Sequence, residues 1–136
     1  GAGGVLKQVL VDSGIGTILA ESIAGSSVPL IFLAWSIAAV MRITQGSATV
    51  AMVTAAGIMA PILPQFDYSQ AYYALITIAI ASGGTVLSHV NDSGFWIVGK
   101  YLGMNEKQTL KSWTVMETII GVSGLAFAML ISLFVK

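Results

Sequence analysis

Apolar runs dominate the chain, and short polar interruptions fall inside them as well as between them. Residues 28–43 (VPLIFLAWSIAAVMRI) are almost wholly apolar, TQGSAT follows at 44–49, and apolar character resumes from 50 to 63. One straight helix over 28–63 would be about 54 Å long at about 1.5 Å per residue. The hydrocarbon core of a bilayer is only about 30 Å thick. The segment must tilt steeply, break, or cross and return, and Gly46 among hydroxyl and amide neighbours is the natural place for a broken helix to divide. Residues 70–103 repeat the pattern. AYYALITIAIASGGTVLSHV contains Gly83 and Gly84, the polar group Ser88, His89, Asn91, Asp92 and Ser93 follows, and FWIVGKYLG turns apolar again. This stretch is also too long for one unbroken crossing, so a second broken helix is expected there.

Between the two, Pro61 and Pro64 stop a helix and QFDYSQ (65–70) connects. Residues 104–112 have ordinary soluble polarity and read as a loop. Residues 113–135 read as a clean transmembrane helix, entered at an interfacial Trp113. On it Gly124, Ala128 and Ser132 recur every fourth residue, a small-residue stripe that lets another helix approach closely. Residues 1–27 differ. Lys7, Gln8, Asp12, Ser13 and Glu21 interrupt an apolar background, with Gly14 and Gly16 in the middle. Two short arms meeting near 12–16 are expected there, a re-entrant hairpin tolerated only where protein or water covers it. An amphipathic helix lying in the interface is the alternative. The fold class is therefore an all-α membrane protein with several transmembrane helices, two of them broken, and a re-entrant hairpin.

Composition agrees. Charged residues make up 9% of the chain and hydrophobic ones 56%. A soluble domain carries about 25% charged residues, so lipid is the main solvent. Net charge is zero and the six basic residues are scattered and form no patch, so nothing suggests nucleic acid. The chain has no Cys and one His, so disulfides, thiolate metal sites and a protein-built metal centre are not expected, nor is a cofactor. The chain opens on GAGGVLKQVL, without a Met or a signal-type segment, from which we expect a fragment of a longer protein, or a mature piece whose partner is the remainder of the same protein. Lys100, Lys107 and Lys111 lie between the last two spans against a single Glu106, which places that loop in the cytoplasm by the positive-inside rule.

The two interruptions are the candidate chemistry. An unwound turn inside a membrane exposes backbone N–H and C=O groups, and the half-helix that follows points partial positive charge at an anion. Gly46 and Ser47 would open such a half-helix, with backbone N–H groups and the Ser47 and Thr49 hydroxyls binding a carboxylate. The structural alternative is that these residues bond back to carbonyls and kink a packed helix. Ser88 and Asn91 offer matching polarity in the second interruption. His89 and Asp92, three apart, would share a helix face, and ionisable groups inside a membrane are costly and usually functional. They are the candidates to carry a coupling proton, with a loop at headgroup level as the alternative. Arg42 is a candidate partner for a substrate carboxylate. It would otherwise snorkel to an interface or neutralise a carboxylate such as Asp12. Glu117, Glu21 and Lys7 read as interfacial. An enzyme is not expected, because Ser88 and His89 are sequence neighbours that point apart on a helix and no nucleophile motif is present.

The stretches GAGGVLKQVLVDSGIG, MRITQGSATVA, SHVNDSGFW and TLKSWTVMET resemble the C-terminal region of the gluconate permease family, in register over nearly the whole chain. That resemblance implies a multi-pass protein of the bacterial inner membrane that takes up gluconate or a related sugar acid with a proton. It also implies the inverted repeats, re-entrant hairpins and broken helices of the ion-transporter superfamily. Relatives that carry D-serine or other small hydroxy acids make such a substrate the alternative, and a homo-oligomer is left open. Within the matched motifs the resemblance assigns site roles to Ser47, Thr49, His89, Asn91 and Asp92.

Overall fold

The computed structural model describes Asp12 and residues 28–135. The hairpin expected over 1–27 lies outside the described residues, apart from the exposed Asp12. The described part is all-α. Its helices are α1 (Leu30–Gln45), α2 (Ala48–Met59), α3 (Gln70–Gly83), α4 (Ser93–Tyr101) and α5 (Glu106–Ser132), with a 3₁₀ turn at Leu63–Gln65. Two helical stretches, Ala48–Gln65 and Glu106–Ser132, are long and apolar enough to cross a bilayer.

The chain reverses at Gly46. α1 starts behind Pro29, whose carbonyl accepts from the Leu33 N–H at 3.1 Å, and ends where Gly46 adopts φ 73°. A left-handed residue just past a helix is the usual place for glycine, which has no Cβ to clash. Ser47 then takes an extended conformation and its Oγ accepts from the Val50 N–H at 3.3 Å, capping α2. α2 runs back along α1. A Cβ on Gly83 would lie 3.0 Å from the Ala38 Cβ, and one on Gly84 would lie 2.6 Å from the Met52 Cγ. Residues 38 and 52, on opposite sides of the turn, therefore sit beside the same level of α3. At about 1.5 Å per residue the arms are about 24 and 18 Å long, each shorter than a bilayer core of about 30 Å. The inner surfaces carry the alanines that permit this close approach, Ala34 and Ala38 on α1 and Ala51 and Ala55 on α2, all fully buried.

Below the hairpin, Ile62, Met59, Leu30, Ile31, Leu75 and Ile76 form a buried apolar cluster. The turn after α2 is held by Tyr73, whose hydroxyl donates to the carbonyls of Phe66 (2.9 Å) and Leu63 (3.3 Å). Ser69 caps α3. α3 ends at Gly83 and the backbone stays irregular until α4 begins at Ser93, with Leu87 at φ 51°. A left-handed conformation costs a residue with a Cβ about 1–2 kcal/mol.

The polar segment at 104–112, expected to be a loop, is helical from Glu106. Asn105 and Gln108 close a reciprocal capping box, with the Asn105 side chain on the Gln108 N–H and the Gln108 side chain on the Asn105 N–H, both at 2.9 Å. Polarity there marks the first exposed turn of α5, so this helix begins well before Trp113. α5 descends along α4, the irregular segment, α3 and α1. Its small-residue face is where it docks. A Cβ on Gly124 would lie 2.5 Å from the Ser82 Cβ, Ala128 is buried, and the Trp35 indole N–H donates to the Gly121 carbonyl at 3.0 Å. The opposite face exposes Val115, Ile119, Val122, Phe127 and Leu130, an outward surface suited to lipid or further apolar helices.

Candidate functional site

The hairpin tip and the irregular segment after α3 touch each other. A Cβ on Gly46 would fall on the Asn91 carbonyl, 2.6 Å from its carbon and 2.8 Å from the Asn91 Cγ. Asn91 reaches across the junction and its Nδ2 donates to the Ile43 carbonyl at 2.8 Å, covering an acceptor left open by the end of α1. The two polar interruptions, 45 positions apart in sequence from Gly46 to Asn91, thus form one locus.

An ion pair lies at its centre. Arg42 sits one turn before the tip, 3% exposed, and Asp92 caps α4, 7% exposed. The Arg42 Nη2 lies 2.5 Å from the Asp92 Oδ2, and the Arg42 Nη1 donates to the Gly46 carbonyl at 2.7 Å. Arg42 therefore binds both halves of the junction. The remaining contacts complete the carboxylate shell of Asp92. Its Oδ2 accepts from Ser88 Oγ at 2.5 Å and its Oδ1 accepts from the Gly94 N–H at 2.9 Å. One donor is left over. The Arg42 Nε is buried with no acceptor among the described residues, which costs free energy unless an oxygen fills the gap.

α5 closes the site from the side. The Trp113 indole N–H donates to Ser88 Oγ at 2.9 Å, and the Thr114 hydroxyl donates to the Ser88 carbonyl. Both belong to a π-helical turn at Leu110–Thr114. One wide turn inside an α-helix shifts the side chains that follow, and such turns gather at functional sites. One turn on, the Thr118 hydroxyl accepts from the Leu87 N–H at 3.3 Å.

Several residues occupy roles other than the expected ones. His89 and Asp92 do not share a helix face, because the segment is not helical. The Asp92 N–H bonds to the His89 carbonyl at 2.8 Å, and the half-buried imidazole turns to the Leu87 carbonyl at 2.8 Å. Arg42 neither snorkels nor lacks a partner, since Asp92 neutralises it. Trp113 is not merely an interfacial marker, because its N–H supports Ser88. Glu117, read as interfacial, is half-buried on α5 within electrostatic range of Arg42 and Asp92. Thr49 is exposed on the first turn of α2, with Ser47 and Gly46 at the tip itself. The structure brings together Arg42, Gly46, Ser47, Ser88, Asn91 and Asp92. Thr49 and His89 border the group. Trp113 and Thr114 were missed because the α5 π-turn that aims them leaves no mark in hydropathy. The ion pair had a signal: Arg42 and Asp92 are the two full charges nearest the interruptions, and charges in a membrane pair with one another.

Comparison with known proteins gives this geometry its context. The sequence pattern of the GntP family permeases matches residues 1–134. The chain belongs to the GntP family of permeases. It is 52% identical, over 96% of its length and 29% of the relative's, to a protein named low-affinity gluconate transporter in Escherichia coli K12. It is 47% identical to the gluconate permease of Bacillus licheniformis, over 99% of this chain and 30% of that one. It is 43% identical to the Gnt-II system L-idonate transporter of Escherichia coli K12, over 90% and 27% respectively. The chain thus spans under a third of the length of these relatives. No solved structure matches it. Family membership places the chain among the multi-pass permeases of the bacterial inner membrane.

Proposed function

We propose that this chain forms one half of the substrate site of a secondary transporter that takes up gluconate or a related sugar acid together with a proton. The observation that carries the proposal is the buried ion pair at the junction of two helix breaks. The tip of the hairpin offers the N-terminal turn of α2, the Ser47 and Thr49 hydroxyls, and the Arg42 guanidinium. A helix N-terminus and a planar guanidinium are the two groups best suited to hold a carboxylate. The Arg42 Nε, buried without an acceptor among the described residues, favours a further oxygen beside it. Asn91 and Thr49 bring amide and hydroxyl groups that match a polyol chain, while the Ser88 hydroxyl is engaged by Asp92 and Trp113.

Coupling follows from charge balance. At rest Arg42 and Asp92 neutralise each other. A sugar-acid carboxylate that takes Arg42 leaves Asp92 buried and uncompensated, which is costly in low dielectric. A proton on Asp92 removes that cost. Substrate and proton therefore favour each other's binding, one for one, and the loaded site carries the same net charge as the empty one. His89, at the border of the junction, is the second group able to change charge near neutral pH. Sugar acids are favoured as substrates by the names of the relatives, gluconate and L-idonate among them.

The test is uptake of labelled gluconate by proteoliposomes of the full-length transporter. With the outside one pH unit more acidic, accumulation approaches about tenfold for one proton per substrate, since one unit is about 1.4 kcal/mol. A potential imposed without a pH difference drives none. Absence of pH-driven accumulation of any sugar acid overturns the proposal.

A further inference from the structure

The reading above, on which this inference rests, leaves a question of access. Asp92 is 7% exposed and covered by Arg42, Ser88 and the Gly94 N–H, and Ser88 is in turn covered by Trp113. Such a carboxylate presents little surface to water, so a carrier from outside the shell would speed its proton exchange. α5 supplies one candidate. Glu117 lies one turn beyond Trp113 and Thr114 and one turn before Gly121, positions that share a helix face. That face is the one that meets the irregular segment: Thr114 bonds Ser88, Trp113 bonds Ser88, and a Cβ on Gly121 would lie 3.1 Å from the Thr85 Oγ1. Glu117 is half-buried, and its carboxylate has no hydrogen-bond or ion-pair partner among the described residues. The charged groups that act on it are Arg42 from α1 and Asp92 from the irregular segment. The remaining titratable group of that segment, His89, turns its ring to the Leu87 carbonyl. A carboxylate held in an apolar helix without a donor is expensive, and such groups in membranes mark proton relays.

We propose that Glu117 is the relay that carries the coupling proton to and from Asp92. In its protonated form Glu117 gives its O–H proton to an Asp92 oxygen as the substrate carboxylate displaces Asp92 from Arg42. Glu117 is left as carboxylate, Asp92 becomes the neutral acid, and water on the side open at that moment returns a proton to Glu117. The reverse transfer releases the proton after the substrate leaves. The step moves one proton between two carboxyl groups and needs no other reactant.

Two assays on the full-length transporter separate relay from structure. In exchange of labelled for unlabelled gluconate at equal pH, the loaded carrier returns without releasing its proton, so no relay is needed. Net uptake driven by a pH difference needs the relay in every cycle. For Glu117→Gln the expected result is a loss of about 100-fold in net uptake, the scale of a missing acid–base group. Exchange falls by less than about threefold, and Glu117→Asp recovers most of the net rate. Wild-type net uptake in Glu117→Gln overturns the relay, as does an equal loss of net uptake and exchange in Glu117→Gln and Glu117→Asp alike. Failure of the wild-type protein to accumulate substrate would instead count against the transport proposal itself.

Discussion

Replacing Gly46 with Ala tests the junction at its tightest point. Gly46 has φ 73°, and a side chain there pays twice. The left-handed backbone alone costs a residue with a Cβ about 1–2 kcal/mol. In addition the new Cβ would stand 2.6 Å from the Asn91 carbonyl carbon and 2.8 Å from its Cγ. Ordinary carbon contacts begin near 3.5 Å, so the segment carrying Asn91 has to retreat by about 1 Å. That retreat pulls the Asn91 Nδ2 from the Ile43 carbonyl, and it pulls Asp92, the next residue, from Arg42. A displacement of about 1 Å at a site costs about 10²-fold in rate. Gly103 provides the control, because it has φ 63° but a Cβ there meets nothing within 4 Å. Gly103→Ala pays the backbone cost only. The assay is initial gluconate uptake by full-length protein in vesicles, normalised to the amount in the membrane. Gly46→Ala is expected to fall by about 100-fold and Gly103→Ala by less than about threefold. Equal rates for the two variants would refute the claim that the two breaks form one working site.

Other expectations follow from the same contacts. Arg42→Met or Asp92→Leu alone strands a buried charge and costs about 3–5 kcal/mol, read as less folded protein in the membrane and a lower melting temperature in detergent. The pair together, Arg42→Met with Asp92→Leu, recovers much of that stability but no transport, because apolar replacement of a whole buried pair is often near neutral. Gly124→Leu drives a side chain into Ser82, whose Cβ lies 2.5 Å from where the Gly124 Cβ would be; overpacking of this kind costs about 1–3 kcal/mol in thermal unfolding. Trp113→Phe keeps the ring and removes the donor to Ser88, a loss of about 1 kcal/mol that shows as a several-fold fall in kcat with the protein still folded.

Much of this arrangement was legible in the residues. Helix arithmetic against bilayer thickness left tilt, a break, or a crossing and return for residues 28–63, with Gly46 the natural place for a break, and the polar group around Asn91 marked the irregular segment after α3. What hydropathy does not encode is the third dimension. Nothing in the spacing from Gly46 to Asn91 says that the two interruptions touch, since that follows from α2 folding back along α1 and setting its tip beside the end of α3. Helical periodicity also misplaced His89, because three-residue spacing aligns side chains only where the backbone is helical, and here it turns through a left-handed Leu87. The polarity of 104–112 suggested a loop because exposed first turns of helices and loops share a composition; the Asn105 and Gln108 capping box was the distinguishing signal. The partner of Arg42 required a choice among several carboxylates, and only the fold selects Asp92 over Asp12 or Glu117.

Proton uptake on substrate binding is the most direct measure of whether Asp92 and the incoming carboxylate compete for Arg42. Calorimetric titration of gluconate into the purified full-length transporter, repeated near neutral pH in buffers of different ionisation enthalpy, counts the protons taken up per substrate bound. The exchange of partners at Arg42 requires about one proton per gluconate in the wild-type protein and none in Asp92→Asn, which binds with an affinity independent of pH. Gluconate binding with no proton uptake in the wild type, or with the same uptake in Asp92→Asn, would contradict it.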